Sequence, residues 1–162
     1  MSDAVAPYAG DYDREAATIA IERHKHGRGA LLPMLHAIVE AIGFVPDDLV
    51  PEIALALNLS KADVHGVVTF YHDFRRAPAG KHVIKICRAE SCQARGGALI
   101  EAAAAKKFGI AFGETSKDGN VTLEAIYCLG LCASGPAALL DGKPVARIDA
   151  ARMDELVQEA VS

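Results

Sequence analysis

Apolar residues in the first half of the chain recur at spacings of three and four positions. In "LLPMLHAIVEAIGFVP" the residues Leu31, Leu35, Ile38 and Ile42 define one face of an α-helix. Gly43 follows the last of them, as is common where a helix ends. This segment therefore predicts an amphipathic helix with one buried side.

Further helices are predicted on both sides of it. A short helix is predicted over Asp13–Lys25, and another over "PEIALALNL", where Pro51 occupies a first-turn position. In "SKADVHGVVTFYHDF", Ser60 opens a capping-box pattern that predicts a third. We therefore expect a helical domain over residues 13–78, preceded by a flexible tail over residues 1–12.

The pattern changes in the second half, where short β-branched segments alternate with helical ones. "HVIKIC" and "VTLEAIYC" predict strands, and "QARGGALIEAAAAKKFGI" between them predicts one helix that ends near Gly109. "PAALLDGKPVARI" predicts a hairpin that turns at Asp141–Gly142, and "DAARMDELVQEAV" predicts a closing helix capped by Asp149. The order β-α-β-β-β-α over residues 79–162 is typical of a small α/β sandwich of thioredoxin type, so the expected fold class is α/β.

Composition and charge exclude several classes of protein. The chain has 162 residues, of which 51% are hydrophobic and 23% charged, as expected for globular domains. Its net charge of -4 does not favour nucleic-acid binding. No apolar run approaches the ~20 residues of a membrane span, so no membrane insertion is expected. The first residues lack the pattern of a secretory signal, and we expect a cytoplasmic protein.

All four cysteines fall in two short segments, "CRAESC" and "CLGLC". Cys87 lies at the end of the first predicted strand and Cys92 at the start of the following helix. Cys128 ends the second strand, and Cys132 lies in the loop before the hairpin. These positions would gather at one end of the sheet. Because cytosolic thiols stay reduced unless they bind metal or do redox work, the arrangement favours a metal centre.

Several kinds of centre are compatible with four thiols. Structural zinc sites usually have two residues between paired cysteines, whereas here four and three residues separate them. The wider spacing favours a [2Fe–2S] cluster, with Gly130 allowing a sharp turn and with Arg88 and Arg95 able to offset negative charge. Zinc, a dithiol redox pair, disulfides and four inert buried thiols remain as alternatives at this stage.

The combination of "CRAESC" and "CLGLC" resembles the thioredoxin-like [2Fe–2S] ferredoxin family. More closely, the chain is similar to the small iron–sulfur subunit of complex I-type NADH dehydrogenases and of their hydrogenase and formate dehydrogenase relatives. The resemblance covers nearly everything from Asp13 to the end. "TFYHDFRRAPAG" and "PAALLDGKPVARI" look most like the gamma subunit of soluble, molybdenum-containing NAD-dependent formate dehydrogenase.

The resemblance implies an electron-transfer subunit that converts no substrate itself. Its [2Fe–2S] cluster would be held by Cys87, Cys92, Cys128 and Cys132, next to the FMN of an NADH-binding flavoprotein partner. In the formate dehydrogenase branch a molybdenum-containing catalytic subunit completes the complex, and complex I or an NAD-reducing hydrogenase is the alternative. The sequence contains no G-x-G-x-x-G fingerprint and no nucleophile elbow, so no catalytic residue is expected in this chain.

Overall fold

A computed structural model of the chain describes residue 8 and residues 10–161, with side chains up to residue 159. Most of the predicted tail over residues 1–12 lies outside these described residues. The chain forms two compact units, the first ending at Pro78 and the second beginning at Ala79. Within the described ranges no helix is long and apolar enough to cross a membrane.

The first unit is helical, as the apolar periodicity predicts. Its elements are α1 (Arg14–His24), α2 (Leu31–Ile42), a 3-10 turn (Asp47–Leu49), α3 (Val50–Leu57) and α4 (Lys61–Phe70). The apolar face of α2 supplies Met34, Leu35 and Ile38, each with no exposed surface. These side chains pack with apolar side chains of the neighbouring helices. Removal of this apolar surface from water is the main contribution to the stability of the unit.

Side-chain caps fix the N-termini of α1 and α4. Asp13 accepts the N–H of Ala16 at 2.9 Å and so begins α1. The Ser60 hydroxyl accepts the N–H of Asp63 at 3.1 Å, and the Asp63 carboxylate accepts the N–H of Ser60 at the same distance, so the predicted capping box is present. Helix α4 ends at Phe70, four residues before the end of the segment that predicted it.

The second unit is a five-stranded sheet with helices packed against it. Its elements are β1 (His82–Cys87), α5 (Glu90–Ala94), α6 (Gly97–Phe108), β2 (Glu114–Thr115), β3 (Val121–Ile126), β4 (Ala138–Leu140), β5 (Lys143–Val145) and α7 (Ala150–Val161). The strand order is β2-β3-β1-β4-β5. Strands β1 and β3 are parallel, with Cys87 opposite Ile126, and the other pairs are antiparallel. The predicted α/β fold class is confirmed.

The core of this unit lies between the central strands and two helices. Ile84 and Ile86 on β1 and Leu123 on β3 are fully buried, as are Met153 and Leu156 on α7. They pack in one apolar cluster with residues of α6. Packing against α6 and α7 therefore fixes the position of β1 and β3, including the ends that lead into the cysteine segments.

The hairpin and the closing helix form where they are predicted. Asp141 and Gly142 have φ angles of 50° and 78°, the left-handed pair that a two-residue hairpin turn requires. The Asp141 carboxylate also accepts the N–H of Val83 at 2.8 Å, which ties the turn to β1. Asp149 accepts the N–H of Arg152 at 2.8 Å and caps α7.

Three local features differ from the prediction. The single helix expected after β1 is two helices, because the chain turns at Arg95 and Gly96, where φ reaches 91° at the glycine. Strand β2, which pairs with β3, was not predicted. With only two residues, it is too short to show an alternating apolar pattern. Strand β3 ends at Ile126, so Cys128 lies beyond the strand rather than at its last residue.

Candidate metal centre

The parallel pairing of β1 and β3 brings both cysteine segments to one edge of the sheet. Strand β1 ends at Cys87, and β3 ends two residues before Cys128. In a parallel pair the carboxyl ends lie at the same edge, so the two loops that follow are neighbours. Cys128 and Gly130 both have a φ of 73°, and these left-handed residues turn the second loop sharply.

The four thiols differ in their exposure to solvent. Cys87 and Cys92 are 2% and 3% exposed, whereas Cys128 and Cys132 are exposed. All four are free thiols. The buried pair lies against fully buried Ala137 and other apolar residues of the two loops. A metal centre held by these four sulfurs would have one face in the protein and one face towards solvent.

Backbone N–H groups point at the Cys87 sulfur. Burial raises the pKa of this thiol, but the N–H of Ala89 and the thiol of Cys92 lower it, as do the N–H groups of Cys128 and Leu129. The result is a pKa below the ordinary value for cysteine. The same donors would stabilise negative charge on a sulfur ligand of a metal centre.

The Cys92 thiol has the opposite balance. Burial raises its pKa, and the neighbouring Cys87 raises it further. The N–H of Ala137 acts in the other direction without reversing the shift. Within the buried pair, the N–H donors thus favour the thiolate at Cys87, and burial disfavours it at Cys92.

Several hydrogen bonds connect the first cysteine segment to the second. The Ser91 hydroxyl donates to the carbonyl of Cys132 at 3.4 Å, and Arg95 Nη1 donates to the carbonyl of Ala133 at 3.3 Å. The N–H of Arg88 donates to the carbonyl of Ile126 at 2.8 Å. These contacts hold the two segments together without any metal.

Two glycines allow the backbone to approach Cys92 closely. A Cβ atom at Gly97 would lie 2.8 Å from the carbonyl oxygen of Cys92, which is closer than real Cβ contacts. A Cβ atom at Gly135 would lie 3.2 Å from the Cys92 sulfur. The start of α6 can therefore lie against this residue only because Gly97 lacks a side chain, whereas a Cβ atom at Gly135 would make a tight contact that needs a small shift of its neighbours.

The donor set of this site is entirely sulfur, in two pairs on two loops. Four thiolates are the usual ligands of a [2Fe–2S] cluster, and the N–H groups aimed at the buried pair suit a centre with net negative charge. In the part of the chain that the structure describes, no three His, Cys, Asp or Glu side chains are arranged to hold a single ion.

A model of the family described as thioredoxin-like [2Fe–2S] ferredoxin matches residues 17–161. The chain belongs to the thioredoxin-like [2Fe–2S] ferredoxin family. Its cofactor is thus a [2Fe–2S] cluster, as the resemblance in sequence implies, and the all-sulfur donor set fits that cofactor.

Two relatives of this [2Fe–2S] protein match most of its length. It is 35% identical over 146 residues to a subunit of NADH-quinone oxidoreductase of Escherichia coli (strain K12), covering 90% of this chain and 88% of the relative. It is 29% identical over 142 residues to NAD-reducing hydrogenase HoxS subunit alpha of Cupriavidus necator, covering 88% of this chain but 24% of the relative.

A solved structure shows the same relationship. The chain superposes on a crystal structure of an NAD+-reducing [NiFe]-hydrogenase in the air-oxidized state with a TM-score of 0.66 and 27% sequence identity. The match covers 86% of this chain and 24% of the hydrogenase chain. The match in shape therefore extends over most of the chain and not only over the cysteine segments.

The sequence indicated the four thiols, the turn at Gly130 and the neighbouring Arg88 and Arg95, but not the individual N–H donors around the sulfurs. The N–H donors of Ala89, Leu129 and Ala137 leave no mark in the sequence, because any residue except proline carries the same donor. Glu101, which contacts residues next to both buried thiols, was also missed. The one available signal was its position as the single acidic residue in the alanine-rich segment "GALIEAAAAKKF".

We expect Gly97→Ala to impair the metal centre, because the new methyl group would force the start of α6 away from the Cys92 carbonyl. The expected result is a lower iron content per purified chain and a lower urea midpoint for the apo-protein. Gly66→Ala is the matched control, since Gly66 lies within α4 and a Cβ atom there meets nothing within 4 Å. An iron content in Gly97→Ala equal to that in the control would show that this close approach is unimportant.

Proposed function

We propose that this chain is an electron-transfer subunit that holds its [2Fe–2S] cluster on Cys87, Cys92, Cys128 and Cys132. The observation that carries the proposal is the convergence of two cysteine loops at the carboxyl ends of β1 and β3. The cluster, when bound, would accept and release one electron at a time. The chain would contribute the sulfur ligands, the N–H donors and the apolar wall behind them.

The unequal burial of the thiols supports a direction for electron exchange. Cys87 and Cys92 are shielded by the protein, whereas Cys128 and Cys132 are open to solvent. We therefore expect a redox partner to approach the cluster from the side of the second loop. We assign that side to an FMN- and NADH-binding flavoprotein, in keeping with relatives that are subunits of NADH-quinone oxidoreductase and NAD-reducing hydrogenase.

The helical unit is proposed to contribute to the same assembly. Leu55 on α3 and Phe70 at the end of α4 are 84% and 73% exposed, and Tyr71 is 41% exposed. Exposed side chains of this size are favoured at interfaces, where their burial stabilises a complex. In this proposal residues 13–78 are a docking domain and residues 79–162 the cluster domain.

The parent complex that we propose is a cytoplasmic, molybdenum-containing NAD-dependent formate dehydrogenase. The proposal is supported by the segments "TFYHDFRRAPAG" and "PAALLDGKPVARI", which resemble the gamma subunit of that enzyme. The second candidate is the equivalent subunit of NADH:quinone oxidoreductase or of an NAD-reducing hydrogenase. It is favoured by the names of the relatives reported above.

We expect Cys→Ser substitution at any of the four positions to abolish or badly distort the cluster. The wild-type chain should carry about two irons and two acid-labile sulfides, with visible absorption and an EPR signal after reduction by dithionite. Ser134→Ala, a substitution in the same turn as Cys132, is the control and should keep both. A Cys132→Ser variant with the wild-type EPR signal would refute the ligand assignment.

The parent complex can be identified by purifying the tagged chain from its native host. The formate dehydrogenase proposal expects a molybdenum-containing partner and formate-dependent reduction of NAD+ by the purified complex. Omitting molybdenum from the growth medium should remove that activity but leave the iron content of this chain intact. Recovery of the chain in a membrane-bound quinone reductase would contradict the proposal and favour the second candidate.

A further inference from the structure

A single carboxylate on α6 contacts the chain next to both buried thiols. Glu101 Oε2 accepts the Nε–H of Arg88 at 2.9 Å, and Glu101 Oε1 accepts the side-chain amide of Gln93. The Glu101 side chain is only 13% exposed, so both contacts are partly shielded from water. Both oxygens of one carboxylate are therefore used by Arg88 and Gln93.

Each of the two partners of Glu101 directly follows a buried cysteine in the sequence. Arg88 directly follows Cys87, and Gln93 directly follows Cys92. Consecutive Cα atoms lie about 3.8 Å apart, so a shift of either partner moves the neighbouring sulfur ligand. Glu101 thus restrains the backbone next to both Cys87 and Cys92, rather than next to one of them.

Two further contacts hold this arrangement in place. The Arg88 guanidinium lies over the ring of Phe112, with Cζ 5.2 Å from the ring centre. The start of α6 lies against the Cys92 carbonyl at Gly97, so the helix that carries Glu101 is itself seated on the segment. The carboxylate of the ion pair is therefore held at the site, whereas the Arg88 side chain is 40% exposed.

The pair also sets the charge near the proposed cluster. Arg88 places one positive charge beside a centre that becomes more negative on reduction, and Glu101 offsets that charge. A unit charge at a distance on the order of 10 Å, in a medium of effective permittivity ~20, changes an equilibrium constant about tenfold. Loss of either member should therefore change how readily the centre is reduced, in opposite directions.

We infer that Glu101 is a positioning residue of the cluster, which holds the residues after Cys87 and Cys92 and offsets the Arg88 charge that would otherwise favour reduction. This inference rests on the proposed ligand set. It adds a residue outside the cysteine segments to the groups that determine the redox behaviour of the protein.

The test is an EPR-monitored redox titration of the full chain with its cluster, at fixed pH and low ionic strength. At the wild-type midpoint, Glu101→Gln should raise the ratio of reduced to oxidised centre about three- to tenfold, because a negative charge is lost. Arg88→Gln should lower the ratio by a similar factor, and the double variant should return close to the wild-type value. Arg88→Lys keeps the charge and should leave the midpoint unchanged.

Asp154→Asn is the matched control, because it removes the carboxylate partner of Lys107 at the far end of α6. It should leave the midpoint unchanged. An equal shift in this control, or shifts of the same sign in both single variants, would overturn the inference. If Arg88→Gln does not retain its cluster, the comparison of Glu101→Gln with Arg88→Lys decides: a raised ratio in the first and none in the second supports the inference, and any other pair of results overturns it.

The outcomes separate the inference from the proposed function. A wild-type chain that holds no [2Fe–2S] cluster on the four cysteines would refute both. A wild-type chain with the expected cluster, together with a Glu101→Gln midpoint equal to wild type, would refute the role of Glu101 alone.

Discussion

The arrangement of the site depends on the parallel pairing of β1 with β3. These strands run in register from His82 opposite Val121 to Cys87 opposite Ile126, and both end at the same edge of the sheet. A connection between parallel strands must cross over the sheet, and α5 and α6 lie in that crossover. The pairing therefore brings together two cysteine segments that are far apart in sequence, and it places α6 beside the first of them.

The surroundings of the thiols follow from the need to hold negative charge at a partly buried place. Cys87 lies in an apolar setting, where a thiolate is unfavourable unless donors surround it. Backbone N–H groups of Ala89, Cys128 and Leu129, from the two loops, provide those donors, and the N–H of Ala137 acts in the same way at Cys92. Arg88 and Glu101 add a compensated pair of charges rather than a net charge. Around Cys87 and Cys92, burial excludes water, and the fixed N–H dipoles take the place of its hydrogen bonds.

Much of this architecture could be predicted from the sequence because the signals are local. Helix periodicity, the Ser60 capping box, the Asp141–Gly142 turn and the Asp149 cap each involve neighbouring residues, and all are present. The split between α5 and α6 was missed because the alanine-rich segment after Gly97 favours a continuous helix, although two adjacent glycines marked the break.

The turn at Gly130 predicted N–H groups near sulfur, but the contacts of Glu101 and the identity of each donor could not be predicted, because they depend on how the crossover packs against the sheet. Sequence spacing placed the four thiols at one edge but contained no information on which of them would be buried. Local sequence patterns thus predicted the helices and strands. The environment of the cysteines depends on contacts between residues far apart in sequence, which only the three-dimensional structure shows.

The central claim is that two iron ions are held by four cysteine sulfurs of this chain. Iron K-edge X-ray absorption of the purified full-length protein tests it most directly, because the method reports the neighbours of each iron. We expect each iron to have only sulfur as its nearest neighbours and one further iron beyond them, in agreement with a [2Fe–2S] cluster held by thiolates. Nitrogen or oxygen in the first shell, the absence of an iron neighbour, or zinc in place of iron would contradict it.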